Sequence, residues 1–166
     1  MIRVFVNGAK GKMGSEVVRA VNNETDLEMA GSADFGDTLL PNLESAQAQV
    51  AVDFTTPDVV LSNAITMIEA GVRPVIGTTG LSQDNLKTLD DAAKAQSLGV
   101  VVCPNFAIGA VLMMKFAAEA VKHMPRAEII EMHHDRKLDA PSGTAIKTAE
   151  MMSEANPNVN EEELTE

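Results

Sequence analysis

Ile2-Arg3-Val4-Phe5-Val6-Asn7-Gly8-Ala9-Lys10-Gly11-Lys12-Met13-Gly14 runs from a β-rich stretch through a glycine-rich turn into a helical pattern. Ile2 to Val6 suits a short strand, and Met13, Val17, Val18 and Val21 fall on one face of a helix. Strand, glycine turn and helix in that order are the opening unit of a parallel sheet covered by helices. Glycines at such a turn let the backbone bend tightly and approach a pyrophosphate. The unpaired N–H groups and positive dipole end of the helix attract the anion. The spacing is Gly-x-x-Gly-x-x-Gly, not the commoner Gly-x-Gly-x-x-Gly, so the loop by itself also fits a turn that binds nothing. Asp34 adds weight to the nucleotide reading. It follows a second strand about 20 residues beyond the loop, where a carboxylate accepts hydrogen bonds from an adenosine ribose.

Downstream, strands and helices keep alternating. Leu27 to Ala33 reads as the second strand, a polar stretch follows, and Gln49 to Phe54 reads as the third. Pro57 suits a helix start, with Val60, Ile65, Met67 and Ile68 along the helix and Gly71 closing it. Arg73 to Ile76 is a fourth strand, leading into Gly77-Thr78-Thr79-Gly80. Ser82 caps an amphipathic helix to Ser97, and Gly99 to Cys103 is a fifth strand. The pattern changes near Pro104. Ile108 to His123 is apolar and Met-rich, as expected of a buried helix stopped by Pro125. Loops leaving the carboxyl ends of strands are the ligand-binding positions of open α/β sheets. Gly77-Thr78-Thr79-Gly80 can approach a flat ring through its backbone, and Cys103-Pro104-Asn105-Phe106 offers an amide and an aromatic face. Taken singly, each is equally ordinary turn chemistry; together they describe a cofactor cleft. The expected fold is α/β, a Rossmann-like parallel sheet domain over residues 1–107. A partial α+β substrate and oligomerisation domain is expected over 108–166.

Composition narrows the function classes. The 166 residues are 45% hydrophobic, enough for a real core, and the formal net charge of −11 disfavours a nucleic-acid or anionic-membrane surface. No apolar run approaches the roughly 20 residues that span a bilayer. No signal-peptide pattern precedes the first strand, so a cytoplasmic protein acting on small molecules is expected. Cys103 is the single cysteine, which excludes an internal disulfide and paired thiolate metal ligands.

A second polar concentration lies at Glu131-Met132-His133-His134-Asp135-Arg136-Lys137-Leu138-Asp139-Ala140-Pro141-Ser142-Gly143-Thr144-Ala145. Ala127 to Met132 reads as a strand leading into it, and Pro141 to Thr144 as a turn opening a helix. Adjacent strand residues point to opposite faces, so only one of His133 and His134 need face a given cleft. Both histidines are also compatible with an ordinary polar strand end. Consecutive histidines make a poor metal site without further ligands, and no metal is expected. Lys137 can donate a proton, and Gly143 and Thr144 at a helix N-terminus can hold a carboxylate. The combination fits reduction of a small anionic acceptor.

These motifs, in this order, resemble one family. Gly8 to Gly14, Asp53-Phe54-Thr55, Gly77 to Gly80, Asn105-Phe106-Ala107-Ile108-Gly109, and His133-His134 with Lys137 and Asp139 to Ala145 are similar to the 4-hydroxy-tetrahydrodipicolinate reductases (dihydrodipicolinate reductases) of bacterial diaminopimelate and lysine biosynthesis. The resemblance runs through nearly the whole chain. It implies an N-terminal domain that binds NADH or NADPH, and a C-terminal domain that binds a cyclic dicarboxylate and builds a homotetramer in the full-length protein. It places the catalytic histidine on His133 and the proton-donating lysine on Lys137. Substrate contacts fall on His134, Gly143 and Thr144. Cofactor contacts fall on Gly8, Ala9, Lys10, Gly11, Lys12, Met13, Asp34, Gly77, Thr78, Thr79, Cys103, Pro104, Asn105 and Phe106. Family members continue past the equivalent of Glu166, which implies a C-terminally truncated chain. The residue after the ribose-binding acid is often basic in members that use NADPH well; here it is Phe35, which favours NADH. The competing reading is a non-catalytic dinucleotide-binding or redox-sensing module, for which His133, His134, Lys137, Gly143 and Thr144 together have no use.

Overall fold

A computed structural model describes residues 1–103, 105–124, 126–133, 135 and 140–160. By contact density it divides into two units, Met1–Cys103 and Pro104–Glu166. In the first, the β-rich runs form β1 (Ile2–Asn7), β2 (Leu27–Ala33), β3 (Val50–Asp53), β4 (Arg73–Ile76) and β5 (Val101–Val102). They are linked in turn by α1 (Lys12–Asn23), α2 (Leu39–Ala46), α3 (Val60–Glu69) and α4 (Gln83–Ala95). Every pairing is parallel, in the order β2-β1-β3-β4-β5. The chain moves outward from β1 to β2, then crosses back to β3. The order therefore reverses between β1 and β3, the switch point where open α/β sheets bind ligands. Right-handed crossovers put α1 on one face and α2, α3 and α4 on the other. Packing of α2 on α3 and of α3 on α4 agrees with that placement. This is the expected Rossmann-like α/β sheet.

Alternation along the strands decides what the three-helix face covers. In β3, Ala51 and Asp53 are buried while Val50 and Val52 are half-buried; in β4, Pro74 and Ile76 are buried. Phe5, Leu43, Ala51 and Met67 form one apolar cluster, and Val60, Ile68, Ile76 and Leu89 form a second. At about 25 cal/mol per Å² of apolar surface, these large side chains supply most of the drive for docking helices on the sheet. Register sets the strand ends level, with Asn7 opposite Asp53 and Asp53 opposite Ile76.

The second unit contains α5 (Ile108–Ala120) and α6 (Gly143–Ala155), packed on each other with Met114, Val121, Thr148 and Met152 buried. Asn156 Nδ2 donates to the Val121 carbonyl at 3.0 Å, tying the chain after α6 to the end of α5.

Several expectations need correction. Residues 34–48 are not merely polar, because α2 forms there and buries Leu43. Pro41 is tolerated in its first turn, where an N–H would have no intrahelical partner. Pro57 begins a turn, and α3 starts at Val60. On α1, Gly14 and Val21 are buried while Met13 is exposed. The apolar α5 is not a buried helix among the described residues, since Ile108, Leu112, Met113 and Phe116 are exposed. Ala127–Met132 forms no strand. A strand needs a paired neighbour, and here the Asn160 amide substitutes, accepting from Ala127 N at 2.9 Å and donating to its carbonyl at 2.8 Å. The expected helix stop at Pro125 and the acidic tail at Glu161, Glu162 and Glu163 lie outside the described residues.

The tightest packing in the first βα unit is at Gly14. A Cβ there would lie 2.0 Å from the Gly8 carbonyl oxygen, a backbone atom that cannot swing aside. Gly14→Ala should therefore destabilise the chain by at least roughly 2 kcal/mol despite the better helix propensity of alanine. Urea unfolding with an unchanged m-value is the measurement; equal or greater stability would contradict this packing.

Candidate functional site

The first cluster lies along the carboxyl ends of the strands. Gly8 directly follows β1 with φ +80°, and a Cβ there would meet the Phe54 carbonyl oxygen at 2.3 Å. Only glycine fits. Gly8 N and Ala9 N both donate to the Ala33 carbonyl, at 2.9 and 3.2 Å, which holds the glycine loop beside the exit of β2. Gly11 N donates to the Gly8 carbonyl at 3.1 Å, closing the turn, and Gly11 is the N-cap of α1 without a side-chain cap. The first turn of α1 carries no acidic residue, so its positive end is not neutralised from within. Lys10, Lys12 and Met13 are exposed along the loop. This cradle fits a pyrophosphate, with bare backbone at Gly8 and Gly11 and the N–H groups that open α1.

Asp34, just past β2, joins this loop through its carboxylate. Oδ2 accepts from Lys10 N at 2.6 Å and Oδ1 from Phe35 N at 2.8 Å. The Lys10 N–H, followed by the Phe35 N–H, holds this carboxyl below the usual aspartate range. The charged form, and with it the clasp on Lys10, thus persists until pH falls through that depressed value. Asp37 steadies the turn, its Oδ2 accepting from Asp34 N at 2.8 Å and its own N donating to the Asp34 carbonyl at 3.0 Å. Phe35 is left fully exposed at the tip, 102% by relative area.

Beyond the switch point, Gly77 N donates to the Asp53 carbonyl at 2.9 Å and Cys103 N to the Ile76 carbonyl at 2.9 Å, extending the ladder into both loops. Cys103 is half-buried. Thr78 is buried and Thr79 exposed, so within Gly77–Thr79 the side chain of Thr79 faces outward while that of Thr78 serves the interior. The loop residues expected from sequence, Gly8 to Met13, Asp34, Gly77 to Thr79 and Cys103, thus share one edge of the first unit. Sequence reasoning gave no role to Asn7, Asp53 and Asn63, whose side chains hydrogen-bond beneath that edge. Their signal is the polarity of an Asn and an Asp ending two buried strands.

The remaining expected residues belong to the second unit. A cleft of about 620 Å³ there is lined by Asn105, His133, Ser142 and Thr144 among its polar residues, and by Met113 and Met152 among its apolar residues. Asn105 Nδ2 donates to Thr144 Oγ1 at 3.1 Å, and its Oδ1 accepts from Ala107 N at 2.8 Å. Phe106 is exposed. Ser142 caps α6, its Oγ accepting from Ala145 N at 3.1 Å, which confirms the expected turn into a helix. Glu131 grips that cap, accepting from Ser142 N at 3.0 Å and from Ser142 Oγ at 2.5 Å. Glu131 lies two residues before the exposed His133, so the clasp keeps His133 near the start of α6. His133 and Thr144 both line this cleft, and Gly143 opens the helix between Ser142 and Thr144. Pro104, His134 and Lys137 lie outside the described residues. No group of three or more His, Cys, Asp or Glu residues is arranged for a metal among the described residues, and none of their helices is long and apolar enough to cross a membrane.

Residues 2–106 match the family described as "Dihydrodipicolinate reductase, N-terminus" and residues 109–165 match "Dihydrodipicolinate reductase, C-terminus". The chain belongs to the dihydrodipicolinate reductase family. A 4-hydroxy-tetrahydrodipicolinate reductase of Coxiella burnetii (strain Dugway 5J108-111) is 47% identical over 161 residues, covering 97% of this chain and 67% of the relative. One of Listeria welshimeri is 47% identical over 173 residues, covering 92% and 66%. Among solved structures, a dipicolinate-bound dihydrodipicolinate reductase from Paenisporosarcina sp. TG-14 superposes with a TM-score of 0.78 at 41% identity, covering all of this chain and 72% of that one. The chain therefore spans about two thirds of the length of these curated relatives. The dihydrodipicolinate reductase family consists of NAD(P)H-dependent oxidoreductases of lysine biosynthesis, and its Rossmann-like nucleotide domain is the sheet described above.

The cap at α6 can be tested for its own contribution. Ser142→Ala removes the acceptor for Ala145 N and the hydroxyl bonded to Glu131. Stability should fall by about 1–2 kcal/mol, while Ser142→Thr, which keeps the hydroxyl, should lose less than half of that. Denaturant titration followed by a probe in the second unit reads the difference; identical curves for Ala and Ser would remove the cap from the account.

Proposed function

We propose that this chain acts in the reduction of 4-hydroxy-tetrahydrodipicolinate to tetrahydrodipicolinate, with residues 1–107 binding the dinucleotide and residues 108–166 forming part of the substrate and oligomerisation domain. The observation that carries this reading is that His133 and Thr144 line the same cleft, in a chain whose glycine turn fits a pyrophosphate. A dinucleotide-binding or sensing module would account for the cradle, but it gives His133, Gly143 and Thr144 no work.

The chain's own residues divide the task. Gly8 to Met13 hold the pyrophosphate, Asp34 accepts the ribose hydroxyls, and Gly77 to Thr79 with Cys103, Pro104, Asn105 and Phe106 receive the nicotinamide half. When bound, the dihydronicotinamide supplies the hydride. The substrate loses water, accepts that hydride at its conjugated imine and takes one proton at the carbanion-like centre that results. His133 and Lys137 deliver the proton, and His134, Gly143 and Thr144 hold the substrate carboxylates. Donors fixed before the reaction lower its barrier because they need not reorganise as charge develops.

NADH is the favoured cofactor. The Asp34 carboxylate, held charged by two backbone N–H groups, repels a 2′-phosphate, and Phe35 offers no countercharge. Exposed Lys10 and Lys12 leave room for dual use. The full-length protein is proposed to be a cytoplasmic homotetramer acting on a small cyclic dicarboxylate, with no nucleic-acid or membrane partner, in keeping with the net charge of −11.

Two measurements test the reading. Gly11→Val places a branched side chain in the cradle, where even a Cβ lies 3.2 Å from the Gly8 carbonyl oxygen. NADH binding followed by calorimetry should weaken by at least roughly tenfold, or about 1.4 kcal/mol, and unchanged binding in a folded variant would exclude the placement. In the full-length enzyme with freshly generated substrate, His133→Gln or Lys137→Met should lower kcat by roughly 100-fold or more with NADH affinity intact. Near-normal kcat in both would refute the proton-transfer assignment; a defect in KM alone would recast the two residues as substrate holders.

A further inference from the structure

Asp53 ends β3 with 0% exposure, and no step of the proposed reduction uses it. Its carboxylate is surrounded by neutral donors. Oδ2 accepts from Asn7 Nδ2 at 2.8 Å and Asn63 Nδ2 at 3.2 Å. Oδ1 accepts from Thr55 N at 3.1 Å, Thr55 Oγ1 at 2.8 Å and Thr78 Oγ1 at 2.6 Å. These donors come from the end of β1, from α3, from the loop after β3 and from the loop after β4. Burying a carboxylate costs several kcal/mol unless its lone pairs are satisfied, and apolar packing of similar volume is often at least as stable. The neighbouring inward positions on this face, Ala51 and Ile76, are apolar. Stability of the sheet therefore does not by itself call for an acid here.

What the acid joins is informative. Asn7 directly precedes Gly8, and Thr78 sits inside Gly77–Gly80. The Thr78 hydroxyl donates to Asp53 and accepts from Thr55 N at 2.8 Å, so both of its functions are turned inward. One carboxylate thus spans the switch point and fixes two loops that, on the reading proposed above, hold opposite halves of a dinucleotide. We infer that Asp53 is a positioning residue that sets the separation of the glycine loop from the Gly77–Gly80 loop, and thereby the span over which the cofactor binds. It touches neither cofactor nor substrate. Asp53→Asn keeps the volume but turns one acceptor oxygen into a donor facing the Asn7 and Asn63 amides, or facing the hydroxyls of Thr55 and Thr78.

The inference rests on the dinucleotide reading, and two probes keep the two apart. NADH spans both loops, whereas ADP-ribose keeps the parts held by the glycine loop and Asp34 but lacks the nicotinamide ring that the Gly77–Gly80 loop would receive. In the full chain, Asp53→Asn should weaken NADH by at least roughly tenfold and ADP-ribose by less than about threefold, measured by calorimetry at one ionic strength. Equal losses for the two probes would make Asp53 a general structural residue, and no loss for either would remove it from cofactor binding; each overturns the inference. If Asp53→Asn fails to fold by circular dichroism, Asn7→Ala decides, because it deletes the link to Asp53 from the glycine-loop side at a residue that holds no part of the cofactor. A loss confined to NADH supports positioning, and equal or absent losses reject it. Unsubstituted protein that binds NADH no more tightly than ADP-ribose would show that Gly77–Gly80 holds no part of the cofactor, and the underlying reading would fail with the inference.

Discussion

The closest approach in the first βα unit is between the Gly8 carbonyl and Gly14. With 2.0 Å between that oxygen and the place of a Cβ, helix α1 can lie against the end of β1 only because position 14 has no side chain. Gly8 itself takes φ +80° beneath the Phe54 carbonyl, so the turn is squeezed from both sides. This crowding aims α1 at the crevice. A helix start pulled in this tightly, with a bare glycine cap and no acid in its first turn, presents its positive end where the sheet order reverses. The geometry that suits an anion is thus a by-product of packing the helix closely on the strand.

Around that turn the polar groups divide by depth. At the surface, Asp34 is charged and ties the glycine loop to the end of β2 through the Lys10 N–H, its other oxygen accepting from the neighbouring Phe35 N–H. Deeper, Asp53 uses only uncharged donors, which satisfy the carboxylate without fixing a cation next to the crevice. A buried lysine or arginine in their place would compete with the helix end for any bound anion. Neutral donors avoid that competition and still meet the demand that buried polar groups be hydrogen-bonded.

The features legible in the sequence are the local ones. The limits of β2 and β4 follow from β-rich runs bounded by turn residues, and the Ser82 cap is written in Ser82 and Asn85, which bond to each other's backbone. Gly8 to Gly14, Asp34 and Thr144 stand out because their chemistry sits at strand exits or helix starts. Features that depend on neighbours are not legible. Helix α2 hides behind Pro41, a residue tolerated only because it falls in a first turn. Helix α5 is apolar nearly all round and so reads as buried, yet burial depends on what packs against it, and α6 covers one side. Ala127 to Met132 has strand composition, but composition supplies no partner. Besides the nearby Thr55, the Asp53 group joins Asn63, Thr78 and Asn7, which lie 10, 25 and 46 positions away, a convergence that only the parallel register discloses.

At the start of α6 a carboxylate of the protein itself takes up part of the helix end. Glu131 already accepts from Ser142 N and Ser142 Oγ, so a carboxylate of the protein occupies part of the site that the helix dipole makes attractive to anions. An incoming carboxylate meets a positive end that is partly neutralised. On the proposed function, its hold would come from directed donors, the N–H groups that open the helix and the Thr144 hydroxyl, more than from the field. Directed donors discriminate by geometry, whereas the field would accept any anion of suitable size. The Asn105 amide, bonded to Thr144 Oγ1, limits the directions that hydroxyl can take. On the proposed function, such a helix end would favour one placement of a carboxylate over tight binding of anions in general, as a site that presents one particular carbon of its substrate would require.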